Sequence, residues 1–414
     1  MKALSTLITV DNAIKLLANY LKELVILDVE TVNVLDAVGR VLAEDVYASI
    51  DRPEEDISAV DGYAVNSLDT TGASYYNPVR LAVKVVYDPL KKQGNLCVEP
   101  GTAIKVHTGW PLPCNANAVV MSEDVEVKNG FITVHRPVAA GTNVIYRGED
   151  FKRGELLATR GTVIKPPLIA ALAASGIDKV KVYRKINISI IAIGDELVEP
   201  GKEKAPGKVY DSSSYIVFSM MQKDGVFNVK YPNIVRDDVN ELEDAVLREF
   251  ERGVDVVVTT GGTGISESDI IADFVEKRGK FIFRGVRMRP GRPTSSSVLD
   301  HKYLLIHFSG FPVAAWAGYE VLFRMAVIEW LGIRGLDRLS IYARLSRRVP
   351  NVVGYKSIVR VAVFEHGGEF YAEPYMLRGS GVISSLLRTN GYVIIPEDVE
   401  GFEENTRVKV YMYE

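Results

Sequence analysis

The sequence predicts a multidomain protein of α/β plus β class: a central doubly wound, mostly parallel α/β domain, a small β domain inserted ahead of it, a helical N-terminal region and a small C-terminal β barrel. Three observations carry that reading. The chain has 414 residues, more than the roughly 250–300 at which a single core stops growing. From Asn187 onward, apolar β-branched runs alternate with segments of helical period, as repeated βα units require. Before and after that stretch, short β-branched runs are cut by Gly, Pro and Asn turns, the texture of small β domains.

Each element follows in order. Thr9 is an N-cap, and Ala13, Ile14, Leu16, Leu17, Leu21 and Leu24 keep a helical period behind it. Residues 35–46 predict a second amphipathic helix. Strands are expected at 79–87, 103–107, 118–121 and 131–134, within an inserted β domain spanning 53–136. A helix returns at 166–176, with proline at its entrance and glycine at its exit. If it packs back on the first helices, residues 1–52 and 137–183 form one discontinuous helical and extended unit. The α/β domain, 184–334, opens with the run NISIIAI at 187–193, suited to a strand buried on both faces. Further strands are expected at 226–231, 255–260, 280–286 and 303–307, and helices at 211–224, 239–252, 269–277 and 312–331, joined by right-handed crossovers. After Gly335 the alternation stops. Runs at 358–364, 392–395 and 408–413 predict a barrel or sandwich over 335–414, with the barrel preferred.

Composition excludes several functions. Charged residues are 25% and hydrophobic ones 47%, which leaves no room for a largely disordered chain. A formal charge of −4 speaks against a nucleic-acid binder, so any anion site must be a local basic cluster. Cys97 and Cys114 make no C-x-x-C pair and are too few for a zinc site, which fits a reduced, cytoplasmic setting. Only Lys2 could serve as the charge of a signal peptide, and Asp11-Asn12 interrupts the apolar start. No run of about 18 apolar residues exists, so a soluble protein with no membrane partner is expected.

Ligands of open α/β sheets bind beyond the carboxyl ends of strands, where helix N-termini offer N–H donors. Three such ends carry unusual loops: Gly194-Asp195-Glu196-Leu197, Gly261-Gly262-Thr263-Gly264-Ile265-Ser266-Glu267-Ser268-Asp269, and Ser309-Gly310-Phe311-Pro312. The glycines would admit a phosphate or pterin close to the backbone, though a tight βα turn explains them as well. Asp195, Glu196 and Asp269 could hold Mg²⁺ beside a phosphate, though each could instead cap the helix that follows. Arg284, Arg287, Arg289 and Arg292 crowd one short stretch ending in Arg289-Pro290-Gly291-Arg292-Pro293. Guanidiniums on a loop stiffened by two prolines suit bidentate capture of an oxyanion, against the plainer reading of a solvated basic turn.

These pieces, with VDGYAV at 60–65, IKVHTGWPLP at 104–113, RGED at 147–150, YDSS at 210–213 and GSGVISS at 379–385, resemble the molybdopterin molybdenumtransferase family, which includes the MoeA proteins and the E domain of gephyrin. The resemblance covers nearly the whole chain. It implies an enzyme that inserts molybdate or tungstate into adenylylated molybdopterin with release of AMP, assisted by Mg²⁺. It also implies a homodimer whose cleft is shared between subunits, and a contact with the pterin-adenylylating enzyme. The catalytic positions would be Asp61, Thr108, Asp150, Glu196 and Asp269, with Glu196 and Asp269 as metal ligands. Gly261, Gly262, Thr263, Gly264, Asp211, Ser309 and Pro312 would bind substrate, and Arg289, Arg292, Arg360 and Ser380 the oxyanion. The chain departs from the usual loops at 263–267, 289–293 and 308–312. Those departures motivate an alternative, a diverged paralogue that binds a pterin, a nucleotide or a partner protein without catalysis.

Overall fold

The computed structural model describes residues 7–86, 96–263, 269–375 and 379–413. At its centre, the buried strand Ile186–Ile193 pairs in parallel with Val256–Gly261 on one side and with Phe227–Val229 and Asn233–Val235 on the other. Val256–Gly261 pairs in parallel with Tyr303–Phe308. Alternate residues feed two cores. Ile188, Ile190 and Val258 pack with Val217, Met221 and Val313 on one face, and Ile191, Ile193 and Val257 with Leu242, Val246 and Phe274 on the other. This two-sided burial is why the strand reads as an unbroken apolar run.

The order of the strands, not their direction, reverses between Ile186–Ile193 and Val256–Gly261. The helix Ser213–Asp224 carries the chain to one side of the first strand, and Val239–Glu251 returns it to the other. Local chemistry sets the helix ends: the Asp238 carboxylate accepts from the N–H groups of Asn240 and Glu241 at 2.9 and 2.8 Å, and Gly225 closes the preceding helix at φ +74°.

Three expectations are corrected. The sheet ends in an antiparallel arm, because Ser295–Leu299, unanticipated as a strand, pairs with both Tyr303–Phe308 and Gly279–Arg284. Its turn places Asp300 and His301 at φ +49° and +58°, without the Asn-Gly or Asp-Gly signature that normally reveals such a hairpin. The strand expected at 226–231 is instead two short ones flanking Pro232. Residues 35–46 are not a helix: a 3₁₀ turn, Val34–Asp36, leads into extended chain that bridges Val41 to Val163 and Leu42 to Val182. Gly39 within the segment disfavours helix by about 1 kcal/mol, and Leu35, a supposed inner residue, is 84% exposed.

Val29–Asn33 pairs with Lys179–Tyr183, and Val46–Tyr47 with Leu156–Ala158. Between these partners lies a six-stranded sheet ordered Ala118–Met121, Gly62–Val65, Thr102–Val106, Val79–Val86, Phe131–Val134, Val125–Lys128. Cys97 and Cys114, whose number and spacing suggested a reduced setting, form a disulfide instead. Backbone pairing of Leu96 and Val98 with Cys114 brings them together across a sequence distance that concealed the pairing.

At the C-terminus, Lys356–His366, Glu369–Pro374, Ser340–Leu345, Arg407–Met412 and Gly391–Ile395 close into a five-stranded barrel. The short strand Met288–Arg289 pairs in parallel with the barrel residues Lys356 and Ser357, tying the arginine loop of the α/β unit to the barrel. Among the described residues no helix is long and apolar enough to cross a membrane.

Candidate functional site

A cavity of about 820 Å³ opens where the strand order reverses, lined by residues between Ile193 and Ile383. Its floor is the carboxyl end of the sheet, from Ile193-Gly194 and Thr260 to Thr263. Gly261 stands at φ +87°, and a Cβ there would lie 2.3 Å from the Ile193 carbonyl oxygen, so only glycine lets the two strand ends run this close. One wall is Ser309-Gly310-Phe311-Pro312. Ser213 Oγ donates to the Gly310 carbonyl at 2.7 Å, and the Val313 N–H donates to the Ser380 carbonyl at 3.0 Å. The barrel loop is thereby pinned to the start of the helix Pro312–Gly318.

The opposite wall is Met288 to Pro293. The Arg289 guanidinium lies 4.5 Å from the centre of the Tyr355 ring. Among the described residues, neither Arg289 nor Arg292 has a carboxylate partner. Gly291 shapes the loop at φ +105°, where a Cβ would meet Met288 Cε at 2.4 Å. The other two arginines of the cluster are engaged elsewhere. Arg284 donates to Asp269 Oδ2 at 2.6 Å, and Arg287 Nε to the Leu7 carbonyl at 3.1 Å.

Three descriptions of protein families match the chain. "MoeA N-terminal region (domain I and II)" covers residues 8–176, "Probable molybdopterin binding domain" 189–328, and "MoeA C-terminal region (domain IV)" 342–413. A Methanocaldococcus jannaschii protein named for molybdopterin biosynthesis is 35% identical over all of both chains. The chain belongs to the MoeA family. A Bacillus subtilis molybdopterin molybdenumtransferase is 31% identical over 98% of this chain and 94% of its own. The crystal structure of a molybdopterin biosynthesis MoeA protein from Pyrococcus horikoshii superposes with a TM-score of 0.82 at 32% identity, covering 99% of this chain and all of that one.

In this MoeA chain the cavity brings together Glu196, Asp211, Gly261, Gly262, Thr263, Arg289, Arg292, Ser309, Pro312 and Ser380. Asp211 is buried and faces the helix behind it, accepting from the N–H groups of Ser213 and Ser214 at 3.1 Å each. Arg360 lies outside the lining on the barrel strand Lys356–His366. It is 8% exposed, its Nε has no hydrogen-bond partner among the described residues, and burial pulls its pKa down. Gly264 falls outside the described residues.

The expected metal pair is also separated. Glu196 lines the cavity, but Asp269 does not. Asp269 Oδ1 caps the helix Ile270–Arg278 through the Ala272 N–H at 3.0 Å, and its Oδ2 is held by Arg284. Among the described residues no three potential ligands cluster. Sequence reasoning missed Asp237, which lines the cavity and exchanges backbone N–H to carboxylate bonds with Asp195 at 3.1 and 3.4 Å. The signal was its place two residues past Asn233–Val235, a strand hidden behind Pro232.

Asp61, Thr108 and Asp150 belong to the other part of the chain and contribute nothing to the cavity lining. Asp61 Oδ1 accepts from the Thr108 N–H at 2.8 Å, from Thr108 Oγ1 at 3.2 Å, and lies 3.3 Å from His107 Nδ1. The Thr108 amide, followed by its hydroxyl and His107, holds the Asp61 carboxyl below the usual range despite some desolvation. Asp150 pairs with Arg52 at 2.9 Å.

Proposed function

We propose that this chain is a molybdopterin molybdenumtransferase, inserting molybdate or tungstate into adenylylated molybdopterin with release of AMP. The observation that supports it most is the pair Arg289 and Arg292. Two guanidiniums without carboxylate partners among the described residues line a cavity whose floor is a glycine backbone where the strand order reverses. Paired guanidiniums suit a tetrahedral oxyanion, and Gly261 to Thr263 offers backbone donors to the pterin phosphate. Among the described residues neither histidine nor cysteine lines the cavity, so positioning and charge stabilisation supply the rate rather than covalent attack.

Mg²⁺ usually keeps only one or two protein carboxylates beside substrate phosphates. Glu196 and Asp237 fit that demand, whereas Asp269 as placed does not; a cation there would neutralise phosphate charge. The functional unit is a homodimer in which the partner brings Asp61, Thr108 and Asp150 to the cavity. It acts in the cytoplasm and receives its substrate from the pterin-adenylylating enzyme.

Purified protein given adenylylated molybdopterin, Mg²⁺ and molybdate should release AMP and yield metal-loaded cofactor. Binding of the substrate with no AMP release under molybdate or tungstate would instead point to a non-catalytic paralogue.

A further inference from the structure

The geometry points to Phe311 as a stacking platform for a fused heteroaromatic ring of the substrate, and so to a specificity-determining residue. The inference rests on the reading of the cavity as a pterin and nucleotide site. Phe311 lines the cavity and is 58% exposed. Single exposed apolar side chains are common on any protein, so exposure by itself decides nothing.

Its setting decides more. The residue is rooted from both sides of its peptide: its N–H donates to Ser309 Oγ at 3.3 Å, and its carbonyl accepts from Ala314 and Ala315 at 3.0 and 2.9 Å. The ring rests on the barrel loop at Gly381, where a Cβ would come within 3.2 Å of Phe311 Cδ1. A side chain at 381 would push the ring by a few tenths of an ångström, so glycine there gives the ring an unstrained seat against the barrel loop.

Among the described residues, the cavity has one other aromatic lining residue, Tyr210. That ring is already engaged, with Lys204 Nζ 5.6 Å from its centre and its hydroxyl donating to the Lys202 carbonyl at 3.1 Å. Among the described residues, no ring or cation partners Phe311. An exposed phenyl ring on the wall across the cavity from Arg289 and Arg292 is suited to cover the flat part of a ligand whose charged part those arginines hold. The proposed substrate offers two flat rings, a pterin and an adenine, with the same stacking chemistry.

The test titrates pterin-6-carboxylate, AMP and molybdate separately into the parent, Phe311→Ala, Phe311→Leu and Phe311→Trp, with melting temperature as folding control. Base-on-aromatic stacking predicts that Ala and Leu weaken one of the two ring ligands by about tenfold or more, while Trp keeps or tightens it. The ring that responds is the one on Phe311. Leucine separates stacking from mere apolar bulk. Ala and Leu variants that bind both rings as the parent does overturn the inference, and so does a parent that binds neither ring. In that last case, a parent that still holds molybdate loses only the platform, whereas one that also fails with molybdate loses the cofactor reading beneath it.

Discussion

Arg289 and Arg292 are the residues on which the oxyanion assignment turns. Each should make charge-assisted hydrogen bonds, so Arg289→Ala or Arg292→Ala should weaken molybdate binding by roughly ten- to a hundredfold. Lysine should restore part of the affinity, because charge survives while the planar fork is lost. Melting temperature should hardly move, since among the described residues neither guanidinium has a carboxylate to strand. Alanine variants that titrate like the parent would leave the loop a solvated turn. His307 supports a different prediction. It is fully buried between Thr259 Oγ1 at 2.9 Å and Ser297 Oγ at 2.8 Å, and burial pushes its pKa down to about 3. An unfolded histidine titrates near 6.5. Between pH 6.5 and 3 the unfolded chain therefore carries a proton that the native state refuses, and stability falls as pH falls, by up to about 1.4 kcal/mol per pH unit. His307→Gln should flatten the acid side of a melting-temperature profile in that window, and an unchanged slope would refute the assignment.

Among elements, the long helix beginning at Pro312 shows what a sequence reveals and what it hides. Its extent, 312–331, was legible from proline at the first turn and the apolar run behind it. Its π turn, Tyr319–Phe323, was not, because the partners that make use of it lie far along the chain. Asp224 accepts from Tyr319 Oη at 2.6 Å, Arg324 Nε at 3.0 Å and an Arg338 terminal nitrogen at 3.0 Å. Glu320 takes Arg338 in a fork at 2.8 and 2.7 Å, and a hydroxyl from the barrel residue Tyr392 at 3.0 Å. Burial alone would raise the Glu320 pKa, but the Arg338 fork outweighs it and holds the carboxyl low. Removing one member of such a buried network strands the opposite charge, so Asp224→Asn or Glu320→Gln should destabilise the protein by about 3–5 kcal/mol. Tyr392→Phe, which removes one hydrogen bond, should cost about 1 kcal/mol. Equal melting temperatures for all three would show that the network is not what joins barrel and α/β unit. The same division between local and distant signals explains the rest. Capped helices and apolar strands were readable, whereas the serine-rich strand Ser295–Leu299, the Arg284 to Asp269 pair and the disulfide depend on contacts between remote segments. At the site, the strand-end glycines and the Arg289 to Arg292 loop were readable because their chemistry is local. Asp237 and the fate of Asp269 were not.

For the whole molecule, the central fact is that the candidate site chemistry falls into two places within one chain. Among the described residues, those lining the cavity run from Ile193 to Ile383. Asp61, Thr108 and His107 form a second polar group at the end of the inserted sheet. If both groups serve one reaction, a second copy of the chain must carry the inserted sheet to the cavity. Complementation tests this without a structure of the assembly. Asp61→Ala leaves the cavity intact but removes the partner's contribution, and Arg292→Ala does the reverse. Alone, each variant should be inactive in AMP release. Refolded together, they pair at random, so half of the dimers are mixed, and in each mixed dimer one of the two sites has both a parental Asp61 and a parental Arg292. Activity should therefore return to about one quarter of the parent's. Two variants with mutations on the same side, such as Arg289→Ala and Arg292→Ala, should not complement, because every site in their mixed dimers lacks one guanidinium. Recovery by the first pair and not the second would establish a site shared across a two-fold interface. No recovery by either would mean that Asp61 acts within its own subunit or not at all.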